Sequence, residues 1–241
     1  MKISLYEDGC IGRSISIVHS HFHRFSWPID AYLLQFRAML HRTPICDFPK
    51  NNPLDHTIRK DDIVIECGAN IGGLSRYLAQ YAKQVYSFEP NPKAFRYLKR
   101  NVTKIPNIQV FNKGVSNKTK QMIMNTEWSF SGANSVYKLQ NVKYASQQLA
   151  HFTSLNDLKK ELGVQPSLLI LDCEGSEMDV IAGADQVLKG IRQIFCETHP
   201  LADGTNTEGP MRELLEQNGY SITTGRDRGY VLWLIGTRLS S

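Results

Sequence analysis

The sequence contains no Cys-x-x-Cys pair. Its five cysteines, at positions 10, 46, 67, 173 and 196, are odd in number, so neither a disulfide framework nor a thiolate zinc site is indicated. No apolar run approaches the ~20 residues that cross a bilayer, and the opening residues show no charged-then-apolar leader pattern. A cytoplasmic location without a membrane span is therefore expected. Nor is there a block of consecutive like charges. The net charge of +5 is spread along the chain, which serves solubility better than binding to nucleic acid, so no nucleic-acid partner is expected.

With 41% hydrophobic and 21% charged residues over 241 positions, the chain is ordinary for a globular α/β protein with one core. Residues 1–60 read as an accessory segment. Within it Pro28 precedes Ile29, Leu33, Phe36 and Leu40 on one helical face, and residues 50–53 read as loop. Residues 61–241 form the main domain. From Asp62 short apolar runs alternate with helical patterns, the mark of a parallel sheet covered by helices on both faces.

Strands are expected at 63–66, 85–88, 108–111, 168–171 and 193–197. Helices are expected at 73–81, after Pro90 with Ala94, Leu98 and Val102 inward, from Ser154, at 176–184 and at 207–218. Residues 113–150 break the rhythm and read as an inserted, partly β excursion containing Met122-Ile123-Met124. The strands at 220–223 and 230–235 are too close for a parallel connection and must form an antiparallel hairpin. A mostly parallel, Rossmann-like sheet ending in such a hairpin is the arrangement of class I methyltransferases, not of the standard dinucleotide fold.

The first strand runs into Glu66-x-Gly68-x-x-x-Gly72, a turn where glycine permits positive φ and close approach of a ligand beyond the carboxyl end of the sheet. Gly68-x-Asn70-x-x-Gly73 matches the nicotinamide fingerprint except at Asn70, where a side chain stands in place of the glycine that admits a pyrophosphate. S-adenosylmethionine carries no pyrophosphate, and its amino group and sulfonium would favour a carboxylate at Glu66. Glu89, 23 residues after Glu66, has the spacing of an acid that binds ribose hydroxyls. Each acid alone reads equally as a solvated strand end.

Glu66-Cys67-Gly68-Ala69-Asn70-Ile71-Gly72 is followed by Phe88-Glu89-Pro90-Asn91, by Thr153-Ser154-Leu155-Asn156-Asp157-Leu158 and by Leu171-Asp172-Cys173-Glu174-Gly175-Ser176-Glu177. In order and spacing this series resembles the FkbM-type methyltransferases from about Asp62 to Pro200. The first acid is usually Asp in that family, whereas here it is Glu66. The resemblance implies a class I fold, S-adenosylmethionine as cofactor, a cofactor set of Glu66, Gly68, Asn70, Gly72, Glu89 and Asn91, and O-methylation of a saccharide or secondary-metabolite hydroxyl. It names no acceptor. Residues 1–60 and 113–150 lie outside its motifs, where acceptor choice would be encoded.

Methyl transfer from a sulfonium is an in-line displacement, so the protein must hold the acceptor oxygen and relieve it of a proton. Candidates are Asp172 and Glu174 at the end of the fourth strand and His199 at the end of the fifth, near Glu197. His199 suits a general base by its usual titration near neutral pH. No dedicated metal site is assigned, although Asp172, Glu174 and Glu177 could gather Mg2+. Against these roles, Glu177 can simply complement a helix N-terminus and His199 a turn before Pro200.

His19, His21 and His23 would share a face on a strand, but read as surface residues rather than metal ligands. Trp128, Phe130, Tyr137 and Tyr144 serve equally as a stacking surface or a small satellite core. An RNA methyltransferase, a non-catalytic binding module and a nicotinamide oxidoreductase remain alternatives. The oligomeric state is not encoded in any feature recognised.

Overall fold

The computed structural model of the chain describes residues 4–5, 11–12, 54, 57–126, 133–227 and 231–239. The helix expected at 28–40, the loop at 50–53, the histidines at 19, 21 and 23, and Trp128 and Phe130 lie outside these residues. Strands β1 (Ser4–Leu5) and β2 (Ile11–Gly12) pair antiparallel.

The alternation expected from Asp62 is present. It begins with β3 (Ile63–Cys67), α1 (Gly73–Leu78), β4 (Gln84–Phe88), α2 (Pro92–Val102) and β5 (Ile108–Phe111). Strands β6 (Gly114–Val115), β7 (Lys120–Thr126) and β8 (Ser146–Thr153) follow, then α3 (Leu155–Leu162) and β9 (Leu168–Leu171). The series closes with α4 (Glu177–Ala182), α5 (Asp185–Leu188), β10 (Gln193–Glu197), α6 (Glu208–Gln217), β11 (Tyr220–Asp227) and β12 (Val231–Arg238).

The main sheet has the order β11-β12-β10-β9-β3-β4-β5. Neighbours from β10 to β5 are parallel, and β12 runs antiparallel to both β10 and β11, as the hairpin required. Helices on both faces explain why β9 is apolar at every position: Leu168, Leu169, Ile170 and Leu171 are all buried, alternate residues entering opposite cores. One core contains Leu169, Leu171, Val180, Ile194 and Met211; the other contains Val64, Leu78, Leu168, Ile170 and Phe195.

Local chemistry sets the helix starts. Asn91 Oδ1 accepts from the N–H groups of Lys93 and Ala94, Pro92 occupies the first helical position, and Ala94, Leu98 and Val102 are buried one turn apart. Ser154 Oγ accepts from Asp157 N–H and opens α3, as expected. The helix expected at 176–184 stops at Ala182, and α5 follows as a separate turn. Gly183 lies between them, where a Cβ would come within 2.6 Å of Ser116 O.

The excursion folds as a second sheet of order β6-β8-β7. It contains the expected Met122-Ile123-Met124 strand but runs to Thr153, past the expected end. Met124, Ala150 and Phe152 form its buried face. The consequence for function is that the carboxyl ends of β3, β4, β9 and β10 open beside this sheet.

Candidate active site

The turn after β3 is held by the end of β4. The N–H groups of Gly68 and Ala69 both donate to Phe88 O at 3.0 Å, and Asn70 N–H donates to Glu89 Oε2 at 2.8 Å. Three residues have left-handed backbone: Gly68 (φ 91), Asn70 (φ 48) and Gly72 (φ 93). The reason for glycine differs from the expected ligand approach. A Cβ on Gly68 would lie 1.8 Å from Asp172 O, and one on Gly72 would lie 2.8 Å from Leu98 Cδ1. Crossing chain at one position and helix packing at the other exclude a side chain, although Gly68 still lines the cleft.

Glu89 lines the same cleft at the end of β4. Its Oε2 accepts from Asn70 N–H and its Oε1 from Asn91 N–H, each at 2.8 Å, which leaves each oxygen a further lone pair. Burial pushes its pKa up to about 7, against the pull of the two backbone donors. Asn70 also lines the cleft, and its Nδ2 is buried with no hydrogen-bond partner. Asn91, the last of the expected cofactor residues, uses its side-chain oxygen to cap α2.

Glu66 sits beneath the cleft instead of facing it. It is buried, and its Oε2 accepts from Ser75 Oγ at 2.5 Å and Ser87 Oγ at 2.6 Å, while Oε1 has no partner. Burial outweighs both hydroxyls and raises its pKa to about 7. The carboxylate expected near a sulfonium is therefore a support for α1 and β4. Ser75 and Ser87, its partners, were not singled out from sequence.

At the ends of β9 and β10 the expected Asp172, Glu174 and His199 do come together. His199 Nε2 lies 3.5 Å from Glu174 Oε2 and 3.8 Å from both Asp172 Oδ1 and Glu197 Oε1. His199 Nδ1 lies 3.0 Å from Oε1 of Glu177. That oxygen also accepts from the N–H groups of Cys173 and Gly175, tying down a loop in which Glu174 (φ 54) and Gly175 (φ 96) are both left-handed. Ser135 Oγ donates to Glu174 O and braces the loop from the excursion. A non-glycine residue in this conformation costs about 1–2 kcal/mol and persists because these contacts over-determine it.

The charges of this cluster revise two expectations. Burial alone would lower the His199 pKa, but Glu177, Glu174 and Glu197 outweigh it and hold the imidazole charged well above its usual range. That direction runs against the general-base role expected of it. Burial pushes Asp172 up to about 6 despite the nearby imidazole, and burial with Asp172 beside it pushes Glu197 well above the carboxylate range. Glu177 leaves the expected Mg2+ set: it is wholly buried and committed to the loop and to His199; burial would raise its carboxyl, but His199 and backbone N–H groups hold it below the usual value. The donors that converge are Asp172, Glu174 and His199, with one ligand atom from each within 4.8 Å of the others.

The cleft between Glu89 and this cluster is walled by Gly114, Val115, Met124, Val136 and Phe152, with Asn134 and Ser135 as polar members. None was named as a site residue from sequence, although all lie in or just beyond the segment assigned to acceptor choice. Nothing local marks them; only in the fold is it seen that a Cβ on Gly114 would strike the Phe152 ring at 2.2 Å. Tyr137, expected in a stacking or core role, donates to Asp179 Oδ2 at 2.8 Å, and Tyr144 OH accepts from Leu139 N–H. Among the described residues no helix is long and apolar enough to cross a membrane.

The family model for the methyltransferase FkbM domain matches residues 66–222. The 2-O-methyltransferase NoeI of Sinorhizobium fredii is 26% identical over 176 residues, covering 66% of this chain and 71% of that protein. The hexuronic acid methyltransferase AglP of Haloferax volcanii is 26% identical over 147 residues, covering 60% and 59% respectively. The crystal structure of methyltransferase FkbM from Methylobacillus flagellatus matches with a TM-score of 0.52 at 16% identity, over 73% of this chain and 44% of that one, a likeness of fold. This chain therefore spans less than half of that structure's chain. The matched segment begins at Glu66 and contains the glycine turn, Glu89 and the whole carboxylate–imidazole cluster, and the chain belongs to the FkbM methyltransferase family, with its class I fold.

Proposed function

We propose that the chain is an S-adenosylmethionine-dependent O-methyltransferase acting on a hydroxyl of a saccharide or secondary-metabolite acceptor. The observation that carries the cofactor is Glu89: both carboxylate oxygens are fixed by backbone N–H groups at the cleft, each with a lone pair left to accept one of two vicinal ribose hydroxyls. The orphaned Asn70 Nδ2 is a second polar atom suited to a ligand there. S-adenosylmethionine, when bound, supplies an electrophilic methyl group on a sulfonium.

This chain's residues would do the remainder. Glu89 and Asn70 orient the cofactor, and the cleft walls restrict water. Asp172 and Glu174, on the same cleft, face the acceptor and take up its hydroxyl proton, with His199 and Glu177 fixing their arrangement. The O-methyl assignment is supported by the names of two relatives, one a 2-O-methyltransferase and one acting on hexuronic acid.

Calorimetry with S-adenosylmethionine and with NAD tests the cofactor. The first should bind and the second should not; binding of NAD alone would overturn the reading, and binding of neither would leave a non-catalytic module. Methyl-labelled cofactor offered with a panel of hexuronates, neutral glycosides and hydroxylated secondary metabolites should label an ether oxygen. Label appearing only on nitrogen or carbon would remove the O-methyl assignment.

A further inference from the structure

The donor geometry at the ends of β9 and β10 supports more than proton transfer. Nε2 of His199 stands 3.5 Å from Glu174 Oε2 and 3.8 Å from Asp172 Oδ1, too far for strong hydrogen bonds. Two ligand atoms each about 2.1 Å from one tetrahedral ion lie roughly 3.4 Å apart; the two His199 distances are close to this, and all three donor atoms lie within 4.8 Å of one another, so the acids need only draw inward around a shared centre.

A second observation is independent of that spacing. His199 is 8% exposed, and its Nδ1 makes no in-line hydrogen bond, yet the wholly buried Glu177 places Oε1 3.0 Å behind it. A carboxylate beside the far nitrogen is the usual support of a metal-ligating histidine; here its charge favours a proton on Nδ1 and leaves Nε2 to face forward. Forward here means towards Asp172 and Glu174, both on the open cleft. Ligation needs the neutral imidazole, so an ion bound there would take the place of the proton that the surrounding acids hold on His199.

We propose that Asp172, Glu174 and His199 bind one divalent first-row transition ion, with Glu177 as the residue that orients the histidine. One imidazole and two carboxylates suit such an ion better than Mg2+, which favours oxygen donors alone. The ion's role rests on the O-methyltransferase reading: it would hold the acceptor's hydroxyl oxygen and acidify it, in which case Asp172 and Glu174 hold the ion and the proton leaves to water in the cleft.

The test is calorimetric titration of the metal-free chain with Zn2+, in the absence of cofactor and acceptor, with Mg2+ titrated in parallel. One equivalent of Zn2+ should bind, at least tenfold more tightly than Mg2+. That equivalent should be lost in His199→Ala, weakened at least tenfold in Glu174→Gln and weakened about 10–100-fold in Glu177→Gln. Glu174→Gln is nearly isosteric and lies at the cleft, so it decides the matter if His199→Ala fails to fold. Zn2+ held instead by His19, His21 and His23 or by thiols would survive Glu174→Gln undiminished. That result, absence of binding, or Mg2+ binding as tightly as Zn2+ overturns the proposal. A separate titration with S-adenosylmethionine reports on the cofactor reading alone, so failure of one is distinguishable from failure of the other.

Discussion

Asn70 and Glu89, which lie 19 residues apart, are joined by a 2.8 Å hydrogen bond from the backbone N–H of the first to the carboxylate of the second. The bond links the turn after β3 to the end of β4, and Glu89 reaches on to the start of α2 through Asn91 N–H. A single acid thus organises the end of the cleft where we propose the cofactor binds, and its replacement should act on binding before it acts on chemistry.

Glu89→Gln retains one oxygen acceptor but puts an amide donor where an N–H group already points. Loss of a charge-assisted hydrogen bond costs about 1.5–3 kcal/mol, so affinity for S-adenosylmethionine should fall roughly 10–150-fold. Calorimetry measures this directly, and unchanged affinity would exclude Glu89 as a cofactor residue.

Gly68→Ala should be far more damaging than Gly163→Ala, although both positions have positive φ, at 91° and 65°. A Cβ at position 68 meets Asp172 O at 1.8 Å, whereas nothing lies within 4 Å of one at position 163. The first change should cost more than about 3 kcal/mol or abolish folding, and the second about 1–2 kcal/mol. Urea denaturation of the two variants provides the comparison; equal losses would refute the crossing-chain argument.

Glu66 should make stability fall as pH rises. Its folded pKa of about 7 lies above the ordinary 4.5, so the stability it contributes is present below pH 4.5 and is lost as pH rises through 7. The shift corresponds to roughly 3–4 kcal/mol at most. Glu66→Gln cannot titrate, so its stability should decline less than wild type between pH 5 and pH 8 in urea melts. Parallel declines would show that Glu66 is not the group responsible.

His199→Ala should reduce methyl transfer by roughly 10²-fold while S-adenosylmethionine binds as before, because the imidazole positions the acidic cluster and does not contact Glu89. Labelled methyl transfer and calorimetry on the same preparation separate the two effects. Turnover equal to wild type would remove His199 from the reaction.

The frame of the molecule was legible where periodicity and capping chemistry act locally. The runs read as strands at 63–66, 168–171 and 193–197 are strands, the first reaching Cys67; Ser154 opens a helix, and the closeness of the last two strands forced a hairpin. Glu66 was misread for a physical reason. In a strand buried on both faces, alternation no longer distinguishes inside from outside, so nothing local revealed that the carboxylate turns towards Ser75 and Ser87. Glu177 was ambiguous in the same way, since a helix N-terminus and a histidine 22 residues later are equally good partners for it on sequence grounds.

The sequence by itself determined the parallel sheet, its reversed edge, the glycine turn and the presence of acids at the strand ends, because each follows from short-range sterics or residue period. Only the tertiary structure decided which acids meet. The convergence of Asp172, Glu174, Glu177 and Glu197 on His199 depends on adjacent parallel pairing of β9 with β10. The inward turn of Glu66 likewise depends on α1 and β4 packing against β3. Both are long-range contacts, set by how helices and strands bury their apolar faces together, and no spacing along the chain specifies them.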